Sequence, residues 1–365
     1  PYFAFQAWLF KRVVYAAGFL FQASHFADVS GAWGISFTLW SNGATEQLGS
    51  MRLLDVDAGQ IIEAGLKQIY SAHGRDASTW IVRDNPSELH PVLQFKSGLT
   101  VSDVKAKAKL SAGALGCLNN HGNSPAQDGV VFLLSAGSSD CGTSIDTSNF
   151  RRVDALFAAR KLVLGTWIND KDEYLAPDES REGYLQWNDD AHVFALLHPS
   201  NNCTAMRDVS YASRKWTISN HLFWRSRATC LADLDTSHTL ALYRDCKAHP
   251  AGYVVPPPEG TPREQWEVDG DPYLAHVLPS LALSPEARDV LERLDALWLA
   301  SLPVREAFAR EHPELHLLAW DAGVYQLKHL WREHFTAEWE ALRAAHKQLA
   351  DKLRPGVYDF GFLLR

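Results

Sequence analysis

The motifs that announce a chemistry on sight are missing from this sequence. There is no G-x-x-x-x-G-K-[ST] stretch, which excludes a Walker-type phosphate cradle. No G-x-G-x-x-G follows a strand, which argues against a dinucleotide fold of the usual kind. H-E-x-x-H and G-x-S-x-G are also absent, so neither a helix-borne zinc site nor a nucleophile elbow is encoded. Cysteine is sparse and odd in number. Cys117, Cys141, Cys203, Cys230 and Cys246 lie far apart with no C-x-x-C pair, which excludes zinc-ribbon spacing and a dense disulfide framework. A reduced, cytoplasmic protein is the expectation. No apolar run is long enough to span a bilayer, and no charged leader with a cleavage site opens the chain. Positive charge is in deficit: 35 Lys and Arg face 43 Asp and Glu, a formal net charge of -8. That excludes a uniformly basic, histone-like binder of nucleic acid but leaves room for a local basic face.

What is present is a long, aromatic-rich globular chain. Its 365 residues suggest two or three domains. An apolar share of 46% is ample for ordinary cores, and 13 Trp with 17 Phe supply rigid contact surfaces as well as filler. Cations bunch at Lys96 to Lys109, at Arg151 to Lys161 and at Arg207 to Arg227. Acids gather from Asp170 to Asp190 and after Glu259. The chain opens on Pro1, so a trimmed or partial chain is expected.

Along the chain, "FAFQAWLFKRVV" has helical spacing, while "AAGFLFQ" and "WGISFTLW" read as strands. "SNGATEQLG" suits a hairpin turn, since Asn-Gly favours positive φ. "VVFLLSAGSS" is a buried strand, and "NFRRVDALFAARKLVLG" a helix capped by Ser148 or Asn149. "DAHVFALLHPS" is a second short apolar element. The Pro-, Gly- and acid-rich run from Ala248 to Pro272 reads as a linker or long surface loop. Ser284-Pro285-Glu286 starts a helix. A last long helix is expected from Val324 to Leu353, with a stripe of Leu327, Leu330, Trp331, Phe335, Trp339, Leu342 and Leu349, stopped by "RPG".

Four segments carry a resemblance: "FLFQASHFADVSGAWGISFTLW", "RKLVLGTWINDKDEYLAP", "DDAHVFALLHPSNNCTAMR" and "WDAGVYQLKHLW". In this order they resemble the carboxyl-terminal portion of the Eco57I-like N6-adenine DNA methyltransferases of restriction-modification systems. The resemblance spans nearly the whole chain. It implies an α/β, mixed α+β fold in three parts. Residues 1–75 would be terminal strands of a Rossmann-like methyltransferase sheet, 76–255 a mixed target-recognition, DNA-binding domain, and 256–365 a helical C-terminal region. The complete enzyme would use S-adenosylmethionine to methylate adenine N6 on a flipped base. This chain departs from the family's pattern in lacking both the Gly-rich cofactor loop and the Asn-Pro-Pro-Tyr motif. Asn85-Pro86 has no second Pro and no aromatic residue after it, and reads as a plain turn. The expectation is therefore no catalytic residue and no cofactor held by this chain alone. Double-stranded DNA is one expected partner, and a chain or domain carrying the catalytic motifs another. Alternatives are a non-catalytic DNA- or protein-binding subunit, or a metal-dependent nuclease or hydrolase assembled from distant residues.

Within that frame, the DNA-facing candidates follow from side-chain chemistry. Asn119, Asn120, His121 and Asn123 sit among glycines; Asn pairs with adenine N6 and N7, and Gly admits a close backbone. A solvated turn is the competing reading. Arg160 and Lys161 end a helix, where cations suit either the macrodipole or phosphates. Trp167 can stack on a base or seal a core. Asn169, Lys171 and Tyr174 are base or backbone readers, but Asp170, Asp172 and Glu173 beside them repel phosphate. A salt-bridged structural turn and a metal site stand beside the DNA reading for this run. Asn201, Asn202, Arg207, Arg214 and Lys215 suit backbone positioning. His25 and Asp28 read as a loop-stabilising pair.

Overall fold

The computed structural model of the chain describes most of residues 8–84, 141–202, 277–311 and 332–365. Shorter described pieces lie at 116–119, within 124–134 and within 206–218, with Trp224 and Leu327 besides. It is a mixed α+β structure. The first sheet has four strands: β1 (Val13–Gln22), β2 (Gly34–Asn42), β3 (Ser50–Asp57) and β4 (Gln60–Gln68), in the order β2-β1-β3-β4. β1 pairs antiparallel with β2 and parallel with β3, and β3 pairs antiparallel with β4. Both strands expected in the first 42 residues form. Of the helix expected just before them, Trp8 and Leu9 are helical, and Val13 and Val14 at its expected end begin β1 instead, as β-branched residues favour.

The hairpin expected at "SNGATEQLG" is corrected. β2 and β3 are not neighbours; β1 lies between them, so this segment is a crossover. The tight hairpin lies at Ala58-Gly59 between β3 and β4. Both residues have positive φ, 48° and 78°, as a type I′ turn requires.

A second sheet joins β5 (Gly116–Asn119), β6 (Phe132–Leu134), β7 (Cys141–Ile145) and β8 (Asn201–Asn202) in the order β7-β5-β6-β8. β9 (Met206–Tyr211) and β10 (Arg214–Ile218) form a separate antiparallel ribbon. Four long helices complete the described structure: α1 (Phe150–Leu162), α2 (Tyr184–Leu197), α3 (Pro285–Glu311) and α4 (Thr336–Leu353).

α1 occupies the position read from sequence, with Asn149 at its N-cap. The Asn149 side chain caps nothing in α1; it donates to the Ile81 carbonyl at 2.9 Å. α3 starts where Ser284-Pro285-Glu286 says it should, and Ser284 Oγ accepts from the Ala287 amide at 3.3 Å. The last helix is shorter than its apolar stripe suggested. A 3₁₀ turn at Arg332–His334 and a non-helical Phe335 (φ -138°, ψ 55°) precede α4.

One hydrophobic core runs from Ala77 to Leu363. It takes Val153, Leu156 and Phe157 from α1, Val193 and Phe194 from α2, Leu294 and Trp298 from α3, and Leu342 and Leu349 from α4. Residues on both sides of the boundary expected near 255 therefore share a single core. The first sheet keeps a smaller cluster of its own. Leu20, Met51 and Leu53 are packed there against Trp167 and Ile168. On its other face, which no described residue covers, Phe19, Phe21, Phe37, Leu54, Val56 and Ile61 line an apolar cavity of about 250 Å³. His25 at its rim pairs with Asp55 on β3, Nε2 to Oδ1 3.3 Å. Asp55 is thus the partner of His25, in place of Asp28, which adopts a positive φ of 64°.

Candidate functional site

The charged run 166–175 is a seam between the first sheet, the main core and the C-terminal segment. Trp167 and Ile168 seat the small cluster of the sheet. A Cβ at Gly34 on β2 would collide with the Trp167 carbonyl, so only glycine allows this approach. Asn169 folds the turn on itself. Its Oδ1 accepts from the Thr166 amide at 2.7 Å, and its Nδ2 donates to Leu164 O at 3.1 Å. Lys67 Nζ on β4 donates to Asp172 Oδ2 at 2.7 Å with both side chains largely buried. Tyr70 donates to the Glu173 carbonyl at 3.1 Å. The Leu175 and Asp178 amides reach the carbonyls of Phe362 and Phe360 at 2.9 and 2.8 Å. The run is thus mainly a structural junction, in which Asp172 and Glu173 answer partners across it, Lys67 and the Ala72 amide.

Burial pushes the Asp172 carboxyl up to about 6, against the pull of the Lys67 ammonium; nearby Asp170 adds to the rise. Burial likewise lifts Glu173 and Tyr358 above their ordinary ranges. Beside the seam lies a cavity of about 520 Å³. Leu66 and Lys67 of β4, Leu162 to Leu164, Thr166, Ile168, Asn169, Asp172, Arg354, Tyr358, Leu364 and Arg365 line it. This is a volume suited to a small molecule.

A second polar cluster sits inside the core. Asp128 accepts from Arg160 Nε at 2.8 Å and from Tyr174 Oη at 3.0 Å, while Lys161 donates to the Asp128 carbonyl. Burial raises the Asp128 carboxyl to about 6, opposed chiefly by Arg160. Arg160 and Tyr174 have no exposed surface. Their expected contact with DNA is therefore corrected: both are enclosed around Asp128. α1 is buried along most of its length, Arg160 in its last turn included, so this cation turns inward to a carboxylate. A third buried pair, His192 Nδ1 to Asp154 Oδ2 at 2.8 Å, links α2 to α1 with Phe150 stacked on the imidazole.

The other candidates are spread over the molecule. Trp167 is half-buried against the first sheet, and Asn169 lines the cavity. Lys171 is exposed, its ammonium 3.2 Å from Asp170. Asn201 is buried on β8 and donates to Ala195 O at 2.9 Å, a contact that ties α2 to the second sheet and takes it from the surface. Asn202 follows it, opposite Leu134. Asn119 stands on β5, opposite Phe132 and Cys141. Arg207 lies on β9, and Arg214 and Lys215 lie on β10 opposite Tyr211 and Ser210. Asn120, His121 and Asn123 lie outside the described residues, as do Asn85-Pro86 and the run 248–272.

Sequence reading missed Lys67, Tyr358 and the acid pair Asp189-Asp190. Asp190 accepts from Lys352 of α4 at 2.9 Å and from the Ser284 amide at 2.9 Å, while Asp189 takes the Ala282 amide and an ion pair from Arg151. Two adjacent acids amid an apolar run were the available signal. Among the described residues, no three His, Cys, Asp or Glu side chains gather as a metal site, and no helix is long and apolar enough to cross a membrane. Comparison with known families, with curated proteins and with solved structures finds no match.

Proposed function

We propose that this chain is the DNA-reading portion of an S-adenosylmethionine-dependent adenine-N6 methyltransferase of a restriction-modification or phage-defence system. The observation that carries the reading is the ribbon β9/β10. It is antiparallel, two-stranded and bears Arg207, Arg214 and Lys215 against a single Asp208. A major groove admits a ribbon of this size, and cations on it suit phosphate positioning. The ordered resemblance of four segments supports the family. The first sheet supports a catalytic partner. Its second face carries a contiguous group of large apolar side chains, Phe19, Phe21, Phe37, Val56 and Ile61, that no described residue covers, and Phe37, Val56 and Ile61 are exposed. A chain or domain carrying the cofactor loop and the Asn-Pro-Pro-Tyr motif would lie there.

The test is DNA binding as a function of salt, using the full chain. Affinity should fall steeply between 50 and 200 mM salt, as counterion release requires. Replacing Arg207, Arg214 and Lys215 together by Ala should weaken binding equally on all sequences and flatten the salt slope by up to about 3. Unchanged affinity at low salt would remove the ribbon from the interface. Methyl transfer restored on mixing with a partner that carries the missing motifs would distinguish a methyltransferase portion from a stand-alone DNA-binding subunit.

A further inference from the structure

We propose that the seam cavity binds a small amphipathic anion: an apolar body bearing a sulfonate, phosphate or carboxylate group. The volume of about 520 Å³ suits such a molecule. Its walls are mostly aliphatic, from Leu66, Leu162, Val163, Leu164, Ile168 and Leu364. Leu66 and Leu164 are 63% and 82% exposed, so the apolar wall continues out to solvent. A polymeric phosphate chain would leave that wall unused.

The charge in the lining is lopsided. Lys67, Arg354 and Arg365 face a single carboxylate, Asp172, which Lys67 already engages at 2.7 Å. Arg354 is braced from behind: Nε donates to Leu162 O at 3.0 Å and Nη1 to Asp351 at 2.8 Å. A guanidinium has five N–H donors, so donors remain for a ligand. Arg365 lies over the Tyr358 ring, 4.8 Å from its centroid. Two guanidinium groups thus line an otherwise largely apolar cavity, one of them already paired with Asp351, a lining that favours an anionic head group over a cationic one.

Acid should strengthen the site. The groups facing Asp172 are Lys67 from β4, Asp170 on the same loop, Tyr70 after β4 and Tyr358 from the C-terminal segment. Burial holds the Asp172 carboxyl near 6, so protonation below that pH removes the one negative charge of the lining and releases Lys67. A permanently ionised ligand should then bind more tightly at pH 5 than at pH 8.

The experiment is calorimetric titration of the full chain, without DNA, so its outcome is independent of the DNA reading. The probes are octane-1-sulfonate, 2-naphthalenesulfonate and neutral octan-1-ol. A sulfonate should bind one-to-one, and octan-1-ol about tenfold or more weaker, the worth of a charge-assisted contact. Tighter octane-1-sulfonate would identify an acyl-chain source, and tighter 2-naphthalenesulfonate a soluble aromatic acid. Arg365→Gln should cost about tenfold in sulfonate affinity. Leu164→Trp, at a lining position that is 82% exposed, should fill the cavity and abolish binding. Equal binding of octan-1-ol, failure of both sulfonates to bind, or binding undisturbed by Leu164→Trp would each overturn the proposal.

Discussion

Asp172 and Asp128 are carboxylates held in the protein's interior by cations, Lys67 in one case and Arg160 in the other. In both, burial outweighs the partner, and the carboxyl rises to about 6 from an ordinary 3.8. Between pH 4 and 6 the folded chain then binds more protons at these sites than the unfolded chain. Each site therefore loses stability as pH rises through that window, by at most about 1.4 kcal/mol per pH unit. Asp172→Asn should remove its share, leaving a shallower fall, or a steeper rise, of stability from pH 4 to 6 than in the parent. Urea denaturation at a series of pH values reads the difference; identical slopes would mean that Asp172 does not titrate there. Gly34 is a second single-residue test. Ala there meets the Trp167 carbonyl and the Leu20 side chain at once, so Gly34→Ala should cost about 1–3 kcal/mol in the same assay. The chemistry of the run around Asp172 was legible as polar and crowded. Its partners were not, because Lys67 lies 105 residues away and nothing local announces it.

At the level of elements, α1 explains why local pattern misled. Ten of its thirteen residues are buried, including Asp154 and Arg160, so no polar stripe marks a solvent side. The helix was readable from its length, its helix formers and its N-terminal Asn. The inward turn of Arg160 was not, since a cation in the last turn of an exposed helix looks the same in sequence. Ala155, Ala158 and Ala159 are fully buried in α1, as is Ala191 in α2. Ala158→Leu should therefore overpack the core and cost about 1–3 kcal/mol, measurable as a lower urea midpoint. A neutral effect would mean that α1 has room beside it. The two strands of the first forty residues were legible from β-branched and aromatic runs. The crossover after β2 was hidden, because Asn-Gly signals a turn without saying which strand it serves.

For the whole molecule, the decisive feature is that the first sheet and the main core are separate packing units joined at the seam. Among the described residues, Trp167 and Ile168 pack against the sheet at this seam, with Lys67–Asp172 and Tyr70–Glu173 beside them. Trp167→Ala combined with Asp172→Asn should loosen the sheet while sparing the core, whose residues lie elsewhere. Limited trypsin digestion should then cut at Lys67 or Arg75 at least several-fold faster, leaving a resistant fragment that begins near residue 76. Uniform acceleration of every cut would show one cooperative unit instead. Length and composition indicated more than one unit. They did not reveal that residues 277–363 fold into the same core as residues 77–224, because a linker-like composition between two runs says nothing of whether they reunite.

That reunion has a consequence for biosynthesis. Phe362 and Leu363 are wholly enclosed, and the carbonyls of Phe360 and Phe362 receive amides from the seam. Translation delivers the middle helices first, at roughly 5–20 residues per second, so they wait on the order of ten to thirty seconds for their last packing partners. Throughout that interval the apolar faces that later receive Phe362 and Leu363 lack their cover, the condition under which nascent chains are open to chaperone binding.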